Sequence, residues 1–225
     1  MTPFLGTAMR ALSAFFLLGL LSSGTAIAQE EPPLPVHGWF RADFDARPDT
    51  ARGWVGFTIP FSRTTAMAID VIGSDRSAGV NMGPTFEIGA LYLAPMLGAD
   101  YTFDSDDVGL VATLLWAFEA PPLPIYLESW TRATLRKPFG GSNDVLWQIH
   151  ALGTVRSWLA VGPEFDALYA PIGQRRLGLR ANLGLTKNIT FGVFAGYEFS
   201  SAARAASTGL GPDWLAARGT LNFAF

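Results

Sequence analysis

Three features of the sequence predict an all-β chain, a transmembrane antiparallel up-and-down β-barrel. Apolar and polar residues alternate up to the last residue, so that Leu215, Ala217, Gly219, Leu221, Phe223 and Phe225 share one face of a closing strand. Mean hydropathy is high, +0.26, yet beyond the first residues no segment is a helix-length apolar span. Turn-forming residues divide the rest into segments of about ten residues, the length of a strand that crosses a bilayer at a tilt.

The N-terminal segment is read as an export signal. Met1 to Ala28 carries Arg10 as its only charge, an apolar run from Ala11 to Leu21, and Ala26-Ile27-Ala28 ahead of Gln29. A short apolar run followed by a small-x-small site is a signal peptide rather than an anchor. Gln29 to Phe225 is then the barrel domain.

Strands follow in order. After a Pro-rich lead, Val36 to Asp45 places Gly38, Phe40, Ala42 and Phe44 against His37, Trp39, Arg41, Asp43 and Asp45. Pro48 and Asp49 turn the chain into Arg52 to Phe61, where Val55, Phe57, Ile59 and Phe61 form the apolar face. A turn at Ser62 to Thr65 leads into Ala66 to Gly73, with Met67, Ile69 and Val71 outward and Asp70 inward. Ser74 to Pro84 is polar and contains glycine, which predicts a loop.

Thr85 to Phe103 is too long for one strand. Glu87 and Asp100 have opposite parity, so an unbroken strand would expose one carboxylate to lipid. A turn at Ala94-Pro95 repairs this and predicts strands over Thr85 to Leu93 and Met96 to Phe103, while a bulge would repair the parity as well. The acidic loop Asp104 to Asp107 precedes Val108 to Glu119, and the Pro-rich turn Ala120 to Pro124 leads to Ile125 to Lys137.

Beyond the loop Pro138 to Asn143, the predicted strands are Asp144 to Thr154, Ser157 to Ala167, Arg175 to Thr186, Ile189 to Phe199 and Trp214 to Phe225. Tyr169 to Gln174 and Ser200 to Asp213 are loops. The total is twelve strands, with ten as the alternative if two weak ones merge. An even number returns the chain to the side on which it began.

The closing strand resembles that of bacterial outer-membrane β-barrels. In that family a C-terminal strand ending in Phe is read by the barrel assembly machinery, and Leu221, Phe223 and Phe225 match at the fifth-last, third-last and last positions. The resemblance implies the bacterial outer membrane as location, its lipid as surroundings, and Phe223 and Phe225 as the assembly signal.

Charges sort to the inner face on this register. Predicted inward, and candidates to line a pore, are Arg41, Asp43, Asp70, Glu87, Asp100, Glu128, Arg132 and Arg136, together with His150, Glu164, Asp166, Arg176, Arg180, Glu198 and Arg218. Aromatics that include Phe40, Phe57, Tyr92, Tyr101, Phe165 and Phe225 fall outward, as girdles should. Trp39, Trp54, Trp130, Trp158 and Trp214 fall inward, where they fill space or stack a ligand.

Two accounts of the inner charges stand open. They pair across the lumen and fill it, or they line a water-filled passage and select what permeates. Pairing Leu168 with Arg176 across the 169–174 hairpin would bring Arg180 opposite Glu164.

Composition narrows the remaining classes. With 16 basic and 19 acidic residues the chain lacks the clustered basic footprint of a nucleic-acid binder. Cysteine is absent, which excludes disulfides and thiolate metal sites. The two histidines, His37 and His150, are not followed by the His-x-Ser element of outer-membrane lipid hydrolases, so neither a catalytic residue nor a metal or cofactor is predicted.

In length, strand number and export signal the chain is similar to small twelve-stranded porins such as the oligogalacturonate-specific family. Those line the lumen with basic tracks for acidic sugars, whereas this inner face mixes arginine with at least as many carboxylates. The expectation is a monomeric, narrow channel for a small solute, neutral or cationic. The alternatives are a closed barrel with a structural or adhesive role carried by the loops at 74–84 and 200–213, and, third, a barrel enzyme acting on lipid, which would need a nucleophile near His150.

Overall fold

A computed structural model describes residues 34–46, 49–119, 123–136, 143–169, 173–199 and 213–225, without the side chains at 49, 50, 213 and 214. The segment read as a signal peptide and most of the expected 200–213 loop lie outside the described residues. The fold is all-β. Twelve strands run β1 (His37–Ala46), β2 (Asp49–Pro60), β3 (Thr65–Ser74), β4 (Ser77–Ile88), β5 (Leu91–Thr102) and β6 (Asp107–Glu119) through the first half. The second half holds β7 (Ile125–Leu135), β8 (Asp144–Arg156), β9 (Leu159–Leu168), β10 (Gln174–Gly184), β11 (Ile189–Phe199) and β12 (Asp213–Ala224). Each pairs with its sequence neighbours, and β1 pairs with β12 to close the barrel.

The pleat explains which residues occupy which face. Side chains two apart share a face, and on β12 Leu215, Leu221 and Phe223 are exposed while Ala216, Arg218 and Thr220 are buried. Leu97, 71% exposed, and Leu215, 80% exposed, stand on the outer face among many other exposed aliphatics and aromatics. An apolar belt that encircles a barrel whose charges point inward is stable only against lipid. The strands of 10 to 13 residues are long enough to cross it. The chain is thus a membrane β-barrel.

The β4–β5 region corrects the sequence reading. Ser77 to Pro84, expected to be loop, joins the expected strand from Thr85 in β4, which pairs with β3 from Ala78 through Phe86. The turn falls at Gly89 and Ala90, and Ala94-Pro95 lies inside β5. Gly89 takes a φ of 62°, which glycine adopts without strain. A break does fall between Glu87 and Asp100, whose parities require one, and the turn at 89–90 supplies it. Placing it there exchanges the faces of residues 91 to 93, so Tyr92, expected outward, faces the lumen.

Proline misled the reading because Pro84 and Pro95 are both in strand interiors. Register continues from Met82↔Leu97 to Phe86↔Leu93, which sets the two prolines opposite one another where neither can donate to the ladder. The β3–β4 connection is thus a tight turn at 75–76 rather than a long loop.

Two further expectations change. Leu168 pairs with Gln174, and Arg176 faces Asp166, so the hairpin is two residues out from the predicted register. Trp158 sits in the β8–β9 turn, 53% exposed, and does not enter the lumen. The side chain of Trp214 lies outside the described residues.

Candidate functional site: the lumen

The lumen is unequal along its length. Towards the end remote from the termini, called here the loop end, arginines and carboxylates form three groups. In one, Arg132 donates to Asp100 at 3.0 Å, Arg136 donates to the same carboxylate at 2.6 Å, and Arg136 also contacts Asp144. In the next, Arg176 donates to Asp45 at 2.6 Å and to Glu198 at 2.8 Å, while Arg52 donates to Asp45 at 3.0 Å.

The third group centres on Glu164, which is fully buried on β9. Arg180 donates to it at 2.9 Å, Arg218 contacts it while donating to Asp166 at 2.9 Å, and Gln148 Nε2 donates to it at 3.1 Å. Arg41 joins through Gln148 and is itself held by Asp43, whose two oxygens accept from Nε and Nη2 at 3.0 Å. Arg180 and Glu164 do pair, but diagonally, since the residue opposite Arg180 is Gly162.

Several of these contacts are chords across the barrel. Arg218 on β12 reaches β9 past two strands, and Arg41 on β1 reaches Gln148 on β8 past four. Trp54 on β2 meets Trp130 on β7 at mid-height, with ring centroids 5.8 Å apart and planes at 84°. That edge-on contact also spans four intervening strands. Arg41 and Arg52 lie over the Trp54 ring at 5.3 and 5.7 Å, a favourable placement for cations on an indole.

Below these chords lies a cavity of about 490 Å³ whose lining extends from mid-height towards the terminal end. Thr58, Tyr92, Thr190 and Asn222, all near the terminal ends of their strands, line its lower part. Asp70, Glu128, Trp130, His150 and Arg180 line its upper part. Trp39 contributes an indole laid across Gly56, where an added Cβ would stand 2.3 Å from the ring. Glu128 accepts a hydrogen bond from the Tyr126 hydroxyl at 2.5 Å and stands opposite His150 in register. Asp70 accepts one from Asn81 Nδ2 at 2.7 Å.

Of the residues predicted inward, Asp43, Asp70, Asp100, His150, Glu164, Asp166, Arg176, Arg180, Glu198 and Arg218 are buried inside the barrel. Arg41, Glu128, Arg132 and Arg136 are half-buried there, whereas Glu87 is exposed beside the β4–β5 turn and joins none of the three groups. The pore-lining candidates omit Asp45, Arg52, Asp144, Gln148 and Tyr126, although alternation already puts Asp45, Gln148 and Tyr126 on the inward face. Each lies on the inward parity of its strand, so periodicity alone could have found them. Phe194, buried with Arg218 over its ring at 5.3 Å, carried no signal, because an inward Phe breaks the polar pattern. Among the described residues no group of three His, Cys, Asp or Glu could hold a metal ion.

No protein-family model matches the chain, and no curated protein matches it by sequence. Solved structures do. A chain from work on the mechanism of in-meso crystallization of membrane proteins aligns with a TM-score of 0.59 at 14% identity, covering 84% of this chain and 83% of that one. The NanC porin aligns with a TM-score of 0.52 at 9% identity over 83% of this chain and 98% of its own. An anion-selective porin from Comamonas acidovorans aligns at 0.53 and 11% identity over 76% of this chain and 59% of its own. At such identities the likeness is one of fold, and the fold is that of a porin-like barrel.

Proposed function

We propose that this chain is a monomeric barrel of the bacterial outer membrane that acts as a narrow porin-like channel for small solutes, with its resting constriction at mid-height. The observation that carries this is the make-up of the constriction. The Trp54–Trp130 contact and the Arg41–Gln148 contact cross the lumen through side chains, which rotate on far shorter timescales than backbone rearranges. Beneath them the cavity extends from mid-height towards the terminal end. The inward charges are then the pore lining, and Phe223 and Phe225 the signal to the assembly machinery. The porin names of structural neighbours support the same reading.

Single-channel recording in a planar bilayer, with refolded Gln29 to Phe225 in potassium chloride, tests it. Small steps are expected from the wild type, and steps several-fold larger from Trp54→Ala/Trp130→Ala. The ion-pair groups favour a second reading, a closed structural barrel. A folded barrel that stays silent in both forms would replace the channel with that reading.

A further inference from the structure

The cavity below the constriction has a charge balance that its surroundings do not share. Among the described residues, Arg132 and Arg136 are matched by Asp100 and Asp144, and Arg52 and Arg176 by Asp45 and Glu198. Arg41, Arg180 and Arg218 are matched by Asp43, Glu164 and Asp166. Every arginine of the three groups is thus paired with a carboxylate. Two inward carboxylates are left over, Asp70 and Glu128, and both line the cavity.

Neither makes an ion pair with a described residue. Asp70 is 4% exposed and has a single hydrogen bond, from the neutral Asn81. Glu128 accepts from a neutral phenol. Burying a carboxylate without a counter-charge is costly unless a partner arrives. The two arginines that also line the cavity attract Glu128 without forming an ion pair with it, because each is held elsewhere. Arg41 is committed to Asp43, and Arg180 is shared between Glu164 and Asn182 Oδ1, which accepts from its Nε at 2.7 Å.

Much of the remaining wall is aromatic. Trp39 lies on Gly56 with its ring against the barrel wall, and Tyr92, Tyr126 and Trp130 line the same space beside smaller residues such as Thr58, Ala68 and Met96. The ring of Trp54 already carries Arg41 and Arg52, which shows that this lumen holds cations over indole rings.

We propose that the cavity is a binding site for a small organic cation, an ammonium group with an apolar body, held by Asp70 and Glu128 and enclosed by Trp39, Trp130 and Tyr126. Carboxylates supply the charge and aromatic faces supply attraction that survives a quaternary nitrogen unable to donate hydrogen bonds. A volume of about 490 Å³ is in the range of ligand pockets and exceeds what an inorganic ion needs. The site requires the cavity alone, and so stands whether or not the constriction opens.

Choline and its uncharged isostere 3,3-dimethylbutan-1-ol distinguish charge recognition from apolar filling. Titrated into the detergent-folded full barrel by calorimetry, with tryptophan fluorescence as a second readout, choline is expected to bind at least tenfold more tightly than the isostere. Glu128→Gln and Asp70→Asn, each shown folded by heat-dependent gel mobility, are expected to remove that preference. Equal binding of both ligands to the wild type, or a preference that survives in both variants, would overturn the site. Choline binding by an electrically silent barrel would keep the site while removing the channel. Conductance without charge-dependent choline binding would do the reverse.

Discussion

Gly38 and Phe225 exchange both backbone hydrogen bonds, at 2.8 and 2.9 Å, and the Phe225 ring occupies the space that a Cβ on residue 38 would need, 2.1 Å from ring atom Cε2. The contact sits where the last residues of the chain meet the first strand, and the ring goes on to meet Phe57 on β2, 6.0 Å away and edge-on. Closure of the barrel thus includes a glycine on one strand covered by an aromatic from the other.

Gly38→Ala should cost about 1–2 kcal/mol by forcing the ring aside. Phe225→Ala should cost about 1 kcal/mol through lost ring contacts. On the Phe225→Ala background Gly38→Ala should be nearly neutral, a coupling of about 1 kcal/mol or more. Urea unfolding in lipid vesicles measures the cycle, and additive costs would contradict the packing.

Glu164 should be worth far more to stability than Asp144. Removing the first leaves Arg180 and Arg218 sharing too little negative charge in a buried setting, so Glu164→Gln is expected to cost about 3–5 kcal/mol. Asp144 is 21% exposed by its side chain and neighbours Asp100 across Arg136, so Asp144→Asn should cost under about 1 kcal/mol. Similar losses at both positions in the same unfolding assay would show that the three groups do not act as described.

Turn location can be tested through backbone preference. Gly89→Ala places a side chain at φ 62° and should cost about 1 kcal/mol. Pro95→Ala, in the middle of β5, should stay within about 0.5 kcal/mol of the wild type. The reverse ranking would return the turn to Ala94-Pro95.

Gly56 is expected to control the pose of Trp39. Gly56→Val leaves no room for the indole against the wall, so the ring should swing into the cavity at a cost of about 1–3 kcal/mol. Near-ultraviolet circular dichroism should change while the heat-dependent gel shift of the folded barrel persists. An unchanged spectrum would mean that Trp39 does not rest on Gly56.

What sequence could reveal follows from which physical rules are local. Parity is local, so the inward placement of Asp43, Glu164, Arg180 and Arg218 was legible from alternation alone. Turn chemistry was legible at Lys187-Asn188, but failed at Pro95 because a proline inside a strand and a proline at a turn look alike without the partner strand. Missing that partner turned β4 into an expected loop and Tyr92 into a girdle residue. The pairing of charges lay beyond local rules altogether. Arg41 finds Gln148, 107 positions away, and Trp54 finds Trp130, because the circumference of the barrel brings them together. Nothing in either segment records that distance.

The ion-paired half and the hollow half give the barrel a front and a back. If the barrel is the proposed channel, a solute arriving at the terminal end meets the hollow before any charge pair, whereas one arriving at the loop end must first part arginines from carboxylates. For a solute that passes, the two directions then differ in maximal flux and in half-saturating concentration. Microscopic reversibility keeps the ratio of those two quantities equal in both directions, so at trace concentration the barrel is indifferent to direction. Only when the hollow fills does its orientation in the membrane begin to matter.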